Sequence, residues 1–115
     1  MIAELQKLIR DILQAKAKLI FISHPYSDNP AENKKKVDII CKELAEEGYI
    51  PLSPLHLFSC LPDDRHRKII MLICKLLIIM ATKCHFYSYG NLSGGQAEEM
   101  GFAYKVGKPV EVFET

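Results

Sequence analysis

The sequence lacks tryptophan and carries almost no excess of charge of either sign. Its 15 lysines and arginines are balanced by 14 aspartates and glutamates, which gives a formal net charge of +1 at pH 7. A chain this close to neutrality creates no broad field that would hold a phosphate backbone or an anionic membrane surface. We therefore expect neither a nucleic-acid partner nor a membrane partner.

The sequence also lacks a C-x-x-C pair, and we expect no secretory leader. Its four cysteines stand far apart, so reduced thiols and a cytoplasmic location are expected; they are Cys41, Cys60, Cys74 and Cys84. The residues that could be offered as metal ligands match no compact zinc spacing; they are Cys60, His66, Cys84 and His85. We expect no metal and no cofactor.

One apolar run, residues 69–81, is long enough to raise the question of a membrane segment. Lys75 interrupts it, and a membrane-spanning helix needs about 20 apolar residues. We predict instead a buried or interface helix. Since one helix of a small domain cannot easily bury apolar residues on every side, this run predicts a homodimer or a higher homo-oligomer.

The apolar material that is present suffices for one core, because 49% of the 115 residues are hydrophobic. Residues 1–17 place apolar side chains three and four positions apart, which predicts an N-terminal amphipathic helix. Residues 18–115 then form one domain in which strands alternate with helices. This alternation predicts an α/β fold, a three-layer sandwich with a short parallel sheet.

The boundaries of these elements follow from local signals. Strands are predicted over 18–23, 49–52, 84–88 and 108–113, with loop over 53–62. Helices are predicted from Pro30 to Gly48, from Asp63 or Asp64 to about Thr82, and from Ser93 to Gly107. The three lysines at 34–36 are predicted to face solvent.

Two loops follow the carboxyl ends of strands, where the loops of an open parallel sheet form its binding crevice: residues 24–29 and 89–95. The second loop contains glycines, the hydroxyl of Ser93 and a helix N-terminus whose free N–H groups suit an anion, and so predicts a phosphate site. The same pattern also fits an ordinary helix start, since Ser93 and Gln96 have the spacing of a capping box.

Glu99 lies in the second turn of the following helix. Its carboxylate is close enough to the cap to face the crevice, with the helix dipole favouring ionisation, although a glutamate there is also a common surface residue. Glu98 points about 100° away around the helix and is expected in solvent. His24 and Tyr26 either enter the crevice or pack against backbone. The predicted packing face of this helix comprises Ala97, Met100, Gly101 and Tyr104.

A set of motifs runs through residues 18–113. It comprises Leu19-Ile20-Phe21-Ile22-Ser23-His24-Pro25-Tyr26-Ser27, Asn33, Tyr89-Gly90, Ser93-x-Gly95-x-x-x-Glu99, Ala103 and Gly107-Lys108-Pro109-Val110. Together these motifs resemble the nucleoside 2-deoxyribosyltransferase superfamily, above all its branch of small deoxyribosyltransferase-like domains. The resemblance implies a flavodoxin-like or Rossmann-like fold that associates at least as a dimer.

The resemblance also implies N-glycosidic chemistry on a small-molecule nucleotide or nucleoside. Glu99 matches the glutamate that attacks the anomeric carbon and forms a glycosyl-enzyme ester, which water or another base resolves. Ser93 replaces the aspartate of the transferases and is similar to the serine of 2'-deoxynucleoside 5'-phosphate N-hydrolases, which contacts the 5'-phosphate. The other implied ligands of a 2'-deoxynucleoside 5'-monophosphate are Gly90, Gly94 and Gly95, with His24, Tyr26 and Asn33 around sugar and base.

Two departures from the family pattern concern acids. Where the family has an aspartate on the helix before the third strand, this chain has Lys75-Leu76-Leu77-Ile78, and His85 replaces an aspartate of that strand. A general acid typically contributes about 10²–10⁴ in rate. Three alternatives follow: a non-catalytic nucleotide-binding or sensing module, a structural oligomer that recruits a partner, or an enzyme whose proton donor is Asp63, Asp64, His24 or Tyr26.

Overall fold

The computed structural model describes residues 1–15, 18–61 and 64–115. Its centre is a parallel sheet with the strand order β2-β1-β3-β4. The strands are β1 (Leu19–Ser23), β2 (Ile50–Leu52), β3 (Lys83–Ser88) and β4 (Val110–Glu114). Phe21 of the central strand β1 pairs with Leu52 on one side and with Cys84 on the other. Pro51 lies in the edge strand β2, where a sheet tolerates a residue without an N–H.

Helices connect these strands. They are α1 (Ile2–Gln14), α2 (Pro30–Glu46), α3 (Pro54–Phe58), α4 (Arg67–Met80) and α5 (Gly94–Lys105), with a 3-10 turn at Asp64–His66. The start of α2 follows its sequence signals, because the Asn29 side chain accepts a hydrogen bond from the Glu32 backbone N–H at 3.4 Å and Pro30 takes the first position. Gly48 follows the helix with φ of +91°, a backbone angle that favours glycine.

The sheet is covered on both faces, which confirms the predicted three-layer α/β fold. The core between α2 and the sheet comprises Ile20, Ile22, Val37, Leu44 and Tyr87. The core on the opposite face, under α4 and α5, comprises Phe21, Cys74, Ile78, Ala81, Cys84, Phe86 and Ala103. Alternate residues of β1 and β3 therefore serve opposite faces, as the two-residue period of a strand requires.

The segment between β2 and α4 differs from the prediction. Residues 54–58 were expected in a loop but form α3, which Ser53 caps by accepting a hydrogen bond from the His56 backbone N–H at 3.4 Å. A serine followed by proline is a helix-start signal that the sequence displays. Asp63 lies outside the described residues, and Asp64 begins the 3-10 turn, so the N-cap position of α4 falls to His66.

Helix α5 presents a different face to the sheet from the predicted one. Its buried residues are Gln96, Glu99 and Ala103, whereas Ala97 and Gly101 are exposed and Tyr104 is 62% exposed. Two polar side chains face inward because they bond to the ends of the strands. Of the predicted face, Met100 does pack against the core. The other three residues were predicted wrongly, because apolar periodicity does not register these polar contacts.

Apolar side chains remain exposed on α1 and α4. Helix α1 contacts α4 but buries none of its residues. The exposed apolar side chains are Ile2, Leu5, Leu8 and Leu13 on α1, and Ile69, Leu72 and Leu76 on α4. The homo-oligomer, which was expected from the apolar run of α4, stays a prediction. Within the described ranges, no helix combines the length and the apolar character needed to cross a membrane.

Candidate active site

The carboxyl end of the sheet opens into a cavity of about 480 Å³. Its wall takes residues from the end of β1, from α3, from the first half of α4 and from the segment that leads into α5. The connections after β1 and β3 run over opposite faces of the sheet, along α2 and α5 respectively. The cavity thus lies at the topological switch point, which is where open α/β sheets bind ligands.

Glu99 lies in the wall of this cavity and is only 8% exposed. Its Oε1 accepts a hydrogen bond from the Ser23 hydroxyl at 2.8 Å, and the Cys74 thiol lies beside the carboxyl. Burial raises the pKa of Glu99, and the neighbouring Ser23 hydroxyl and Cys74 thiol oppose that rise without cancelling it. Glu99 therefore holds its proton more strongly than an exposed glutamate does.

Gln96 ties the start of α5 to two strands. Its side-chain oxygen accepts from the Ser93 backbone N–H at 3.0 Å, and its amide group donates to the carbonyls of Ser23 and Tyr87 at 3.1 and 2.9 Å. The Ser93 hydroxyl accepts from the Gln96 backbone N–H at 3.2 Å, which confirms the predicted capping box. Because Gln96 holds the helix against β1, Glu99 reaches Ser23 one turn later.

A group of rings borders the cavity beyond β1. His24 Nδ1 donates to the Pro25 carbonyl at 2.7 Å, and His24 Nε2 lies 2.7 Å from the Tyr89 hydroxyl. Burial lowers the pKa of His24, which favours the neutral ring and makes Nε2 the acceptor for Tyr89. The Lys36 ammonium lies 4.4 Å from the centre of the Tyr89 ring, so this lysine is partly buried rather than fully in solvent as predicted.

The structure brings part of the predicted site together. The predicted residues that line the cavity are His24, Tyr26, Ser93, Gly95 and Glu99. Asn33 is buried behind the wall, where its amide donates to the Tyr26 carbonyl at 3.1 Å and to Asp28 Oδ1 at 2.7 Å and so holds the loop after β1. Gly90, with φ of +98°, shapes the turn after β3, and Gly94 begins α5. Neither glycine is among the described residues that line the cavity.

Residues 18–113 match the protein family described as "Domain of unknown function (DUF7768)". The chain belongs to this family. No curated protein matches the sequence. Among solved structures, the chain is similar to the 2-desoxiribosyltransferase from Leishmania mexicana, with 19% sequence identity and a TM-score of 0.68 over 85% of this chain. The match spans 65% of the length of that enzyme.

Two further solved structures share the fold of this DUF7768 domain. One is the 2-deoxyribosyltransferase from the psychrotolerant bacterium Bacillus psychrosaccharolyticus, at 24% identity and a TM-score of 0.67, covering 84% of this chain and 72% of that chain. The other is the CMP N-glycosidase of Clostridium botulinum, at 15% identity and a TM-score of 0.60, covering 84% and 71%. These likenesses confirm the predicted deoxyribosyltransferase-like fold.

Sequence reasoning missed several side chains of the DUF7768 domain that line the cavity: Ser23, Ser53, Arg67 and Cys74. Ser23 ends β1 and Ser53 directly follows β2, so the rule that sites gather at the carboxyl ends of strands could have found both. Arg67 and Cys74 belong to the apolar helix α4, and only its packing beside α5 brings them to the cavity. The Arg67 guanidinium approaches Gly95, with Nη2 3.8 Å from where a Cβ on Gly95 would lie.

The two departures from the deoxyribosyltransferase pattern, at residues 75–78 and at His85, lie in different parts of the structure. On α4, Lys75 lies outside the cavity and its Nζ is 3.3 Å from Glu98 Oε1 on the exposed side of α5. His85 lies on the opposite face of the sheet, near Glu43, Glu47 and Glu111. It therefore stands apart from Glu99. Of the proposed proton donors, His24 and Tyr26 line the cavity.

Proposed function

We propose that this protein cleaves or transfers the N-glycosidic bond of a 2'-deoxynucleoside 5'-monophosphate or a related nucleotide, with Glu99 as the nucleophile. The observation that carries the proposal is the buried Glu99 carboxyl in the wall of a cavity of about 480 Å³, held by the Ser23 hydroxyl at 2.8 Å. Cavities of this volume are typical of small-molecule sites. The fold shared with deoxyribosyltransferases and a CMP N-glycosidase supports the reaction class by analogy.

The chemistry requires an ionised carboxylate. A Glu99 oxygen bonds to the anomeric carbon while the carbon–nitrogen bond breaks and its electron pair leaves with the base; water or a second base then displaces Glu99. The hydroxyl of Ser23 and the neighbouring thiol of Cys74 favour the ionised form and counteract the pKa rise that burial causes. The same burial removes water from the nucleophile, which strengthens every electrostatic interaction in the cavity.

The start of α5 supports a phosphorylated substrate. The N–H groups of Gly94 and Gly95 belong to a helix N-terminus, which favours an anion. Ser93 Oγ already accepts a bond from Gln96, so its own proton is free for a phosphate oxygen. Arg67 approaches Gly95 from α4, and a guanidinium pairs well with phosphate.

A second candidate function is nucleotide binding without turnover. The raised pKa of Glu99 favours it, because a neutral carboxyl can hydrogen-bond sugar hydroxyls but cannot attack the anomeric carbon. In that case the cavity and the start of α5 would still hold the nucleotide.

The two functions are separated by incubating purified protein with the four deoxynucleoside monophosphates and the four deoxynucleosides and measuring free base by chromatography. We expect release from at least one monophosphate, with Glu99→Gln slowing it about 10³-fold or more. An exposed glutamate of α2 provides the matched control, Glu46→Gln, which should keep the wild-type rate. A nucleotide that raises the melting temperature but is recovered intact would support binding alone. If no base is released and no nucleotide raises the melting temperature, both functions are contradicted.

A further inference from the structure

A series of hydrogen-bonded polar side chains reaches the cavity from the α2 side of the sheet. Ser53 lines the cavity and is 8% exposed. Its Oγ lies 2.7 Å from His56 Nδ1, and His56 Nε2 is hydrogen-bonded to Asp38 Oδ1. The His56 and Asp38 side chains are 37% and 49% exposed. The three residues thus connect a buried hydroxyl of the cavity wall with groups that solvent can reach.

We propose that Ser53, His56 and Asp38 form a proton relay for the cavity, with Ser53 as the group that protonates the leaving base. This inference rests on the proposed function. It supplies a proton source for a chain that has Lys75-Leu76-Leu77-Ile78 where relatives were expected to carry an acid. The relay enters from β2, next to the strand whose Ser23 holds Glu99.

The hydrogen bonds assign the protons of the relay. A carboxylate only accepts, so His56 Nε2 carries a proton toward Asp38, and in the imidazolium form Nδ1–H donates to Ser53 Oγ. When the glycosidic bond breaks, the Ser53 proton moves to the base nitrogen that receives the electron pair, and the Nδ1 proton moves to Oγ. When water displaces Glu99, the proton that the water loses returns to His56 through Ser53. Asp38 stays ionised throughout.

The carboxyl that meets His56 is held in its ionised form. The hydrogen bond to His56 holds the pKa of Asp38 below its ordinary value, and Lys34 acts in the same direction. Burial raises the pKa of the neighbouring Cys41 thiol, so the thiol stays neutral. Asp38 is therefore the acceptor of the outer hydrogen bond of the relay, and His56 Nε2 is its donor.

The capping of α3 does not by itself explain this arrangement. A cap requires only the Ser53 hydroxyl and the His56 backbone N–H, which lie 3.4 Å apart. It requires neither an imidazole nor a carboxylate on α2. The side chains of His56 and Asp38 add a path for protons between the cavity wall and solvent.

The relay is tested on the nucleotide that the wild type cleaves fastest. We expect His56→Gln to lower kcat about 10²-fold with KM changed less than about twofold, and to abolish the fall of kcat at high pH that loss of a proton from an acid causes. Imidazole added to His56→Gly should restore part of the rate. His66→Gln, the same change at an exposed histidine of the turn before α4, should behave as the wild type.

The outcomes separate the relay from the function beneath it. A wild-type kcat in His56→Gln would overturn the relay. So would a lower kcat with an unchanged pH profile, if imidazole also fails to rescue His56→Gly. In both cases Glu99-dependent release would still stand. A wild type that releases no base would overturn the function and the relay together. If His56→Gln melts well below the wild type, Asp38→Asn takes its place, since it keeps a hydrogen-bonding group on an exposed position, and it should lower kcat with KM changed less than about twofold. A wild-type kcat in Asp38→Asn would overturn the relay.

Discussion

Glu99 and His85 are both buried titratable residues, and they lie on opposite faces of the sheet. Burial disfavours the charged form of each, because it raises the pKa of Glu99 and lowers that of His85. The two differ in their partners. Glu99 accepts a hydrogen bond from Ser23 and borders the cavity of about 480 Å³. Neither ring nitrogen of His85 makes a hydrogen bond within the described residues, and its nearest carboxylate oxygen, Glu111 Oε2, lies 3.5 Å from Nε2.

This difference in partners indicates that Glu99 occupies a functional position, whereas His85 occupies a position in the packing. Around Glu99, side chains from β1 and α4 converge to offset the free-energy cost of burying a carboxyl. Around His85, the rings of Tyr87 and Phe113 lie at centroid distances of 6.5 and 4.9 Å. They supply packing but no strong hydrogen-bond acceptor. A shifted pKa alone therefore does not identify a site; converging polar partners beside a cavity do.

The largest effect on stability is expected from Gln96, which supports the Glu99 side of this comparison. Gln96→Leu leaves the carbonyls of Ser23 and Tyr87 and the N–H of Ser93 without their partner. The bonds to the two carbonyls are buried, and each buried unpaired group costs about 1–3 kcal/mol, so urea denaturation should show the free energy of unfolding reduced by roughly 2–6 kcal/mol. Gln6→Leu on exposed α1 should change it by less than about 0.5 kcal/mol. A similar small change for Gln96→Leu would contradict its role.

Glu99→Gln is expected to change stability less than Gln96→Leu does, and to raise it. Its pKa is raised above the ordinary value of 4.5, so above pH 4.5 the folded protein keeps a proton that the unfolded chain has released. The wild type therefore loses stability as the pH rises from 4.5 through the raised pKa. Glu99→Gln removes this loss and should melt several degrees higher at pH 7–8, with the gap closing below pH 4.5. A wild type that melts higher at neutral pH would show instead that the cavity stabilises the carboxylate.

The smallest change in stability is expected from a substitution of His85. His85→Phe replaces a ring without hydrogen-bond partners by one that suits the neighbouring Tyr87 and Phe113, and should raise the free energy of unfolding by about 1 kcal/mol. Because burial lowers the pKa of His85 from 6.5, the wild type should also lose stability as the pH falls below that value, and the variant should not. Calorimetry measures both. A destabilised variant would mean that the imidazole is hydrogen-bonded in solution, and the contrast with Glu99 would fail.

Local signals allowed much of the fold to be predicted. Asn29 and Pro30 start α2, and Ser93 and Gln96 form the predicted capping box, because each depends on hydrogen bonds within one turn of chain. The helix α3 was missed although Ser53 and Pro54 carry the same kind of signal. The buried face of α5 was predicted correctly only at Met100, since Gln96 faces inward to bond carbonyls at the ends of two strands.

The sequence by itself determined the alternation of strands and helices, and with it the edge of the sheet where polar loops gather; His24, Ser93 and Glu99 follow from that rule. Only the tertiary structure decided which other groups share the cavity. Arg67 and Cys74 arrive with α4, and Ser53 is joined to His56 and, through it, to Asp38 of α2. Periodicity describes one element at a time, whereas these contacts depend on how separate elements pack across the sheet.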